Sequence, residues 1–304
     1  MTTPVISTPE TAKLDAPARA RSSAGGPSIF GRLPLHLTLV IVCVIWMLPT
    51  VSLLINSFRP ESDVLTTGWW NAFQLPFEFT LANYEEVLTQ DDMGTSFLNS
   101  LLITIPATVI PIMVAAFAAY AFAWMNFPGR NALFILVVGL LVVPLQSALI
   151  PVLQLTTNAG LTGSFAAVWL AHTGFGLPFA IFLLRNFFGA LPREMFESAY
   201  LDGASPTTAF FRLVLPLSVP AIASLVIFQF MFVWNDLLVA LILVGGTPDV
   251  APITVSIANL VQSRGQGWHL LTAAAFISMV LPLVVFFSLQ RFFVRGILGG
   301  SVKG

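Results

Sequence analysis

Six long apolar runs constrain this sequence more than any other feature. They lie near residues 35–58, 97–124, 132–155, 165–187, 214–244 and 270–290, and each holds few charged residues. A helix needs about 20 mostly apolar residues to cross the hydrocarbon of a bilayer. Only 9% of the 304 residues are charged, whereas the charged fraction of soluble proteins is about a quarter. We therefore predict an all-α membrane protein with six transmembrane helices.

The distribution of lysine and arginine predicts the orientation of these spans. With the N-terminus inside, the segments assigned to the cytoplasm hold 11 of the 13 basic residues, and only Arg59 and Arg264 lie outside. Because cytoplasmic segments retain positive charge, both termini are predicted to be cytoplasmic. Residues 1–32 are rich in Thr, Pro, Ala and Ser and lack apolar periodicity, which predicts a disordered cytoplasmic tail. The membrane domain is expected to cover residues 33–304.

Prolines recur within the spans. Each one removes a backbone amide and frees the carbonyl four residues back, so each is predicted to bend its helix. The alternative is that proline is simply more common in membrane helices than in soluble ones. The eight positions are Pro49, Pro106, Pro111, Pro144, Pro151, Pro178, Pro220 and Pro282.

Composition and motifs exclude several functional classes. With 13 basic and 14 acidic residues, the chain has no basic surface suited to nucleic acid. Its two lysines, Lys13 and Lys303, do not follow a glycine, so the phosphate-binding G-x-x-x-x-G-K-[ST] motif is absent from this sequence. We expect no catalytic residue, no metal site and no cofactor in this chain.

The predicted cytoplasmic loop between the fourth and fifth spans, about residues 191–216, is the most informative stretch. It predicts two short helices, the first ended by Gly203 and the second capped by Ser205. The first helix has one apolar face, at spacings i, i+3, i+4 and i+7, formed by Phe196, Ala199, Tyr200 and Gly203. Such a face is expected to dock into a groove of another protein. The alternative, an amphipathic helix on the bilayer surface, usually carries basic rather than acidic residues on its polar face.

This loop closely resembles the EAA loop of permease subunits of bacterial ABC importers. That motif reads E-A-A, three residues, G, nine residues, then I-x-L-P. The matching residues here are Glu197-Ser198-Ala199, Gly203 and Leu213-Val214-Leu215-Pro216. Ser198 and Leu213 depart from the motif but keep its small or apolar character. The stretch Tyr200 to Ser205 and the ending Phe293 to Gly304 look like the maltose-type branch of carbohydrate-uptake permeases.

The resemblance implies that the first loop helix is a coupling helix, which transmits the motion of an ATPase subunit. The residues carried over to this role are Phe196, Glu197, Ala199, Tyr200, Asp202 and Gly203. It also implies nucleotide-binding ATPase subunits that hold ATP and magnesium, and a second permease subunit. We expect a heterodimeric pore, with a homodimer as the alternative, in the bacterial inner membrane.

An extracytoplasmic sugar-binding protein is expected as a further partner. The longest outer loop, about residues 59–96, is too short to form a two-lobed binding domain itself. A second outer loop, from Gly245 to Trp268, is expected either to contact that protein, as the resemblance implies, or to pack along the membrane interface. Trp124 on the inner side is interpreted as a residue of the interfacial aromatic belt.

The resemblance further implies uptake of a mono- or oligosaccharide, with an α-glucoside such as maltose or trehalose as the specific expectation. The candidate pathway residues are the polar group of the fifth span, Gln229, Trp234, Asn235 and Asp236. Amides supply the donors and acceptors that sugar hydroxyls need. The alternative for Asp236 is to hold a neighbouring helix. His172 is interpreted as a helix-packing hydrogen bonder rather than a proton relay.

Two other functions are the alternatives. The first is an ABC permease for another solute class, such as peptides, polyamines or phosphate. The second is an ion-coupled secondary transporter, which typically places a chain of ionisable residues in the membrane. Asp236 and His172 alone do not form such a chain, so the transporter driven by ATP is favoured.

Overall fold

The computed structural model describes residues 29–89, 93–247, 249–264 and 267–301, and all regular secondary structure in them is helical. Contacts divide the chain into two units, residues 1–50 and 51–304. Helix α1 (Ile29–Ser57) begins before residue 32, where the predicted tail ends. In the first unit its side chains from Leu33 to Pro49 are exposed, Cys43 among them. The tail prediction for residues 1–28 lies outside the described residues.

The second unit consists of helices of very different lengths. After α1 come α2 (Glu61–Thr66), a 3-10 turn (Trp69–Phe73), α3 (Ala82–Thr89) and α4 (Met93–Trp124). They are followed by α5 (Arg130–Gly139), α6 (Leu145–Asn158) and α7 (Phe165–Gly189). The predicted cytoplasmic loop forms α8 (Arg193–Leu201), α9 (Pro206–Ala209), a π-helical turn (Phe210–Val214) and α10 (Leu215–Leu217). The chain continues through α11 (Val219–Trp234), α12 (Leu238–Leu243), α13 (Ile253–Arg264) and α14 (Trp268–Ser301). Residues 302–304 of the glycine-rich ending lie outside the described residues.

Four described helices are long and apolar enough to cross a membrane, and two bent pairs raise the number to six. The four are α1, α4, α7 and α14. The pairs are α5–α6, bent by 105°, and the segment Pro206–Leu217 with α11, bent by 73°. The third span is therefore not the continuous helix expected near residues 132–155.

The bent pair α5–α6 nevertheless reaches from one end of α7 to the other. At one end the Arg185 guanidinium of α7 lies 4.8 Å from the ring centre of Phe134 in α5. At the opposite end, Leu149 of α6 packs in one apolar cluster with Ala167 and Val168 of α7. This placement favours a broken span over a re-entrant loop.

α4 and α7 form the central pair of the bundle, and their contact is the most extensive between any two described helices. The two helices run parallel, because residues 103–107 pack with 167–171 and residues 112–122 pack with 180–188. Small side chains let membrane helices approach closely. The buried alanines of this pair are Ala107, Ala115, Ala116, Ala119, Ala167, Ala171 and Ala180.

The prolines of the spans act in two different ways. Pro144 and Pro220 coincide with the two sharp breaks. The other six lie inside continuous helices. A break therefore accompanies two of the eight prolines, and helix continuity at the other six agrees with the general tolerance of proline in membrane helices.

Several proline-freed carbonyls are bonded by side chains of neighbouring helices. Pro106 offers no amide to the carbonyl of Leu102, and the Nε1–H of Trp169 on α7 donates to that oxygen at 2.9 Å. α11 supplies two further donors. Gln229 Nε2 donates to the Ala107 carbonyl at 3.2 Å, and Ala107 lies four residues before Pro111. Trp234 Nε1 donates to the Ser278 carbonyl at 3.1 Å, and Ser278 lies four residues before Pro282. These bonds fix the pairings α4–α7, α4–α11 and α11–α14.

We expect Gln229→Leu to lower the free energy of unfolding by about 1–3 kcal/mol, because the buried Ala107 carbonyl loses its donor. In a Pro111→Ala background the amide of residue 111 bonds that carbonyl within α4, so the same substitution costs less there. A double-mutant cycle built on thermal unfolding of the detergent-solubilised variants measures the difference. An equal cost in both backgrounds would contradict this role of Gln229.

Candidate functional site

The predicted coupling helix corresponds to α8, and its ends follow the sequence signals closely. Pro192 is the N-cap residue rather than the first helical residue. Gly203 has φ +81°, the left-handed conformation predicted for the end of the helix. The Ser205 hydroxyl accepts the amide hydrogen of Thr208 at 3.2 Å and so caps α9, as predicted. α9 ends at Ala209 and passes into the π-helical turn instead of continuing as an α-helix.

Phe196 points into this chain and not toward a partner. It is 2% exposed, and its ring stacks on Trp124, with 3.7 Å between ring centres and 23° between the planes. The prediction that the Phe196 ring docks into another protein is therefore wrong. The ring attaches α8 to the bundle instead. Trp124, interpreted from the sequence as an interfacial belt residue, also donates its Nε1–H to the Phe188 carbonyl of α7 at 3.0 Å.

The exposed face of α8 lies on the other side of the helix. It is formed by Glu194, Glu197, Ser198 and Leu201, and the exposed Asp202 and Gly203 follow it. Leu201 is 88% exposed, more than any other large apolar side chain in the described residues. Tyr200 is 44% exposed and Ala199 is half-buried, so they lie between the two faces.

Sequence reasoning missed Leu201, although a signal for it was present. Leu201 follows Glu194 by seven residues and Glu197 by four, the spacing of a shared helix face. A bare leucine among carboxylates is a suitable docking point for a protein with an apolar pocket and a basic rim.

Gln229 and Trp234, two candidate pathway residues, are packing residues in this conformation. They are 6% and 3% exposed, and both donate to proline-freed carbonyls. Asn235 is exposed, and its amide donates to the Met231 carbonyl at 2.8 Å. Of the polar group at the end of the fifth span, Asn235 is thus the exposed member, and Asp236 is partly buried.

Asp236 connects several elements at this end of the bundle. Its carboxylate accepts the amide hydrogens of Val239 at 3.2 Å and Ala240 at 2.9 Å, in the first turn of α12. Its carbonyl accepts the Thr254 hydroxyl of α13 at 2.6 Å. This agrees with the interpretation that Asp236 holds neighbouring helices.

His172 is fully buried in α7, with Nε2 3.5 Å from the Asp236 carboxylate. Within the described residues, neither ring nitrogen has a hydrogen-bond partner. The predicted hydrogen bond is therefore not formed in the part of the chain that the structure describes, and His172 packs instead through this approach to Asp236 and an edge-on contact with the Phe232 ring, 5.6 Å between ring centres.

The predicted outer loop from Gly245 to Trp268 is fastened to the first turns of α4. Asn99 Nδ2 donates to the carbonyls of Asp249 at 3.0 Å and Ala251 at 3.2 Å, and Ser100 Oγ accepts the amide hydrogen of Ile253 at 2.8 Å. The loop contains α13. Its contact with a binding protein stays a prediction.

We expect Gly203→Ala to lower the free energy of unfolding by about 1–2 kcal/mol, because an alanine side chain disfavours the left-handed conformation. Gly203→Asn should cost less, since asparagine adopts this conformation more readily. Gly189→Ala in α7 is the matched control, because its added Cβ meets no atom within 4 Å. Thermal unfolding of the purified variants tests this, and equal behaviour of Gly203→Ala and Gly189→Ala would contradict it.

We expect Asp236→Ala to destabilise the protein by about 0.5–2 kcal/mol, the usual cost of a lost helix cap. Asp236→Asn keeps a side-chain oxygen that accepts an amide hydrogen, so it should retain most of that stability. The measurement is again the thermal unfolding midpoint. Loss of stability in Asp236→Asn equal to that in Asp236→Ala would show that the negative charge, and not the cap, is what matters.

Comparisons with known proteins agree on one family. Residues 96–299 match the family described as the binding-protein-dependent transport system inner membrane component. The osmoprotective compounds uptake permease protein GgtD of Synechocystis sp. is 61% identical over 275 residues, covering 90% of this chain and 92% of that protein. The alpha-glucoside transport system permease protein AglG of Rhizobium meliloti is 57% identical over 234 residues, 75% of this chain and 62% of that one.

The fold has a counterpart among solved structures. A chain of a bacterial ABC transporter involved in the import of the acidic polysaccharide alginate superposes with a TM-score of 0.76 at 20% sequence identity, over 87% of this chain and 96% of that one. Together with the family match and the EAA loop folded as α8 to α10, this makes the chain an inner-membrane permease subunit of the binding-protein-dependent ABC importers.

Proposed function

We propose that this permease carries a neutral sugar, an α-glucoside of the maltose or trehalose type, as one half of a pore driven by partner ATPase subunits. One relative is named for α-glucosides and another for osmoprotective compounds, and both are well over half identical to this chain. A neutral α-glucoside suits both names. The family is dependent on binding proteins, which supports delivery of the solute by a separate sugar-binding protein.

The scarcity of charge within the bundle supports a neutral solute. In the five apolar runs from residue 97 onward, the charged or histidine side chains are His172, Arg185 and Asp236, and Arg185 lies four residues before the end of α7. The Asp236 carboxylate already accepts two amide hydrogens. A site for an anion or a cation in the membrane normally provides compensating charge. A sugar instead needs hydroxyl and amide partners, of which Asn235 is an accessible example.

The observation that carries the ATP-driven mechanism is the exposed face of α8. Leu201 is 88% exposed on a helix whose opposite side is buried through Phe196. An apolar tip of this kind, flanked by Glu194 and Glu197, offers apolar burial and charge pairing to a docked subunit. We assign this face to the nucleotide-binding ATPase subunits, which bind ATP and magnesium, while this chain provides no catalytic residue.

Transport then follows from movement of the docked ATPase subunits. Their closure on ATP displaces α8, and the displacement opens one side of the bundle and closes the other. A second permease completes the pore. A heterodimer with an unlike permease is our first choice, and a homodimer is the alternative.

The test is uptake of labelled trehalose and maltose into vesicles that contain the cognate permeases, ATPase subunits and binding protein. Leu201→Asp adds a like charge to an acidic surface and removes the apolar contact. If docking buries Leu201, this loses about 1.5–3 kcal/mol, so we expect ATP-dependent uptake to fall about tenfold or more. Leu201→Met keeps an apolar side chain of similar volume and should transport normally.

Two results would overturn parts of this proposal. ATP-dependent import of a peptide, a polyamine or phosphate instead of the sugars would keep the coupling face and remove the assigned solute. Uptake that needs no ATP and is unaffected by Leu201→Asp would contradict the coupling itself and favour an ion-coupled transporter. Co-purification of the ATPase subunit with each variant separates a docking defect from a folding defect.

A further inference from the structure

Trp124, the last residue of α4, contacts two other helices at once. Its ring stacks on Phe196 of α8 at 3.7 Å. Its Nε1–H donates to the Phe188 carbonyl of α7 at 3.0 Å. The same carbonyl also accepts the backbone amide hydrogen of Leu191 at 3.3 Å, so the indole bond is added to the turn that ends α7. One side chain therefore connects α4, α7 and the helix that carries the exposed docking face.

The other half of the loop is attached to the same end of α4. The Tyr120 hydroxyl donates to the Pro206 carbonyl at 3.0 Å, and its ring packs on Phe210 with 5.2 Å between ring centres. Phe210 also packs on Phe117, one turn earlier in α4, at 4.9 Å. The last two turns of α4 thus hold both α8 and the segment that follows it.

The covalent connection between α7 and α8 is short and irregular. Residues 190–192 separate the two helices as a turn, a bend and an extended proline. Backbone torsions in such a connection let α8 pivot relative to α7 unless side chains prevent it. The side chains that do so include Phe196, buried to 2% exposure, and the Trp124 ring on which it lies. A hydrogen bond between the Tyr200 and Tyr120 side chains is a further restraint between α8 and α4.

We infer that Trp124 is the positioning residue that fixes the coupling helix to the α4–α7 pair, so that displacement of α8 moves these two helices together. This inference rests on the proposed coupling of α8 to ATPase subunits. Trp124 itself is placed behind α8, so it acts through Phe196 and not by touching the partner. Without the ring, α8 pivots at residues 190–192 when the ATPase subunits move, and the α4–α7 pair is not displaced.

The chain contains a matched control for this residue. Trp169 donates its indole N–H to the Leu102 carbonyl and so also joins α4 to α7 through an indole-to-backbone hydrogen bond. It lies 19 residues before Phe188 in α7, which is about 28 Å along a helix. Removing Trp169 loses the same type of hydrogen bond between the same two helices, but far from α8.

The experiment measures sugar imported per ATP hydrolysed by the reconstituted wild-type complex and its variants. We expect Trp124→Ala to lower this ratio about tenfold, through loss of the aromatic stack and the hydrogen bond together, while the ATPase subunits still co-purify and hydrolyse ATP. Trp124→Phe keeps a ring against Phe196 and should retain most of the ratio. Trp169→Ala should leave the ratio unchanged despite a comparable loss of thermal stability.

An unchanged ratio in Trp124→Ala overturns the inference, and so does an equal fall in Trp124→Ala and Trp169→Ala, which assigns Trp124 to general packing. If Trp124→Ala does not assemble, Trp124→Phe and Phe196→Leu provide the comparison. The ratio must then fall in Phe196→Leu, which loses the stack. It must be retained in Trp124→Phe. Failure of the wild-type complex to couple uptake to ATP overturns the proposed function itself, which this control distinguishes from failure of the inference.

Discussion

Every proline within a membrane helix leaves a carbonyl without its backbone partner, and no water is present in hydrocarbon to replace it. At Pro106, Pro111 and Pro282 the replacement comes from side chains of adjacent helices. Trp169, Gln229 and Trp234 each donate to a carbonyl four residues before a proline. Each donor reaches its carbonyl in only one register of the two helices, so these bonds specify relative position as well as pairing. The buried alanines of α4 and α7 let these two helices pack closely in this register.

The parts of the fold that were predictable from the sequence depend on local signals. Apolar runs located the membrane helices, while the left-handed glycine Gly203 and the Ser205 cap marked the helix ends of the loop. Pro144 looked the same in sequence as the prolines that leave their helices continuous. Pro106, Pro111 and Pro282, which leave their helices continuous, have a side-chain donor from a neighbouring helix at the freed carbonyl. Whether such a donor is present is decided elsewhere in the chain. That is a property of the packed bundle and not of the run itself.

The candidate site shows the same division. Periodicity identified an apolar face on α8, but it does not tell whether such a face meets another subunit or the remainder of its own chain. Phe196 found its partner in Trp124, a residue 72 positions earlier in the sequence. Likewise Gln229 and Trp234 attracted a pathway interpretation because they are polar residues in an apolar span, whereas their partners are backbone carbonyls of other helices. Side-chain types do not show which backbone carbonyls of other helices lack a donor. Polar residues that bond such carbonyls are therefore easily mistaken for residues that bind a solute.

α4 is attached to other elements of the chain near both of its ends. Its first turns hold the outer loop through Asn99 and Ser100, and its last turns hold the coupling segment through Tyr120 and Trp124. Between these ends it is one continuous helix of 32 residues, although it contains two prolines. The bonds from Trp169 and Gln229 maintain that continuity, since they pair the two carbonyls that Pro106 and Pro111 leave free. These donors act within the span of α4, whereas Tyr120 and Trp124, which hold the coupling segment, lie in its last two turns. Pairing of the proline-freed carbonyls therefore fixes the bundle, and attachment of the loop is a separate task of the end of α4.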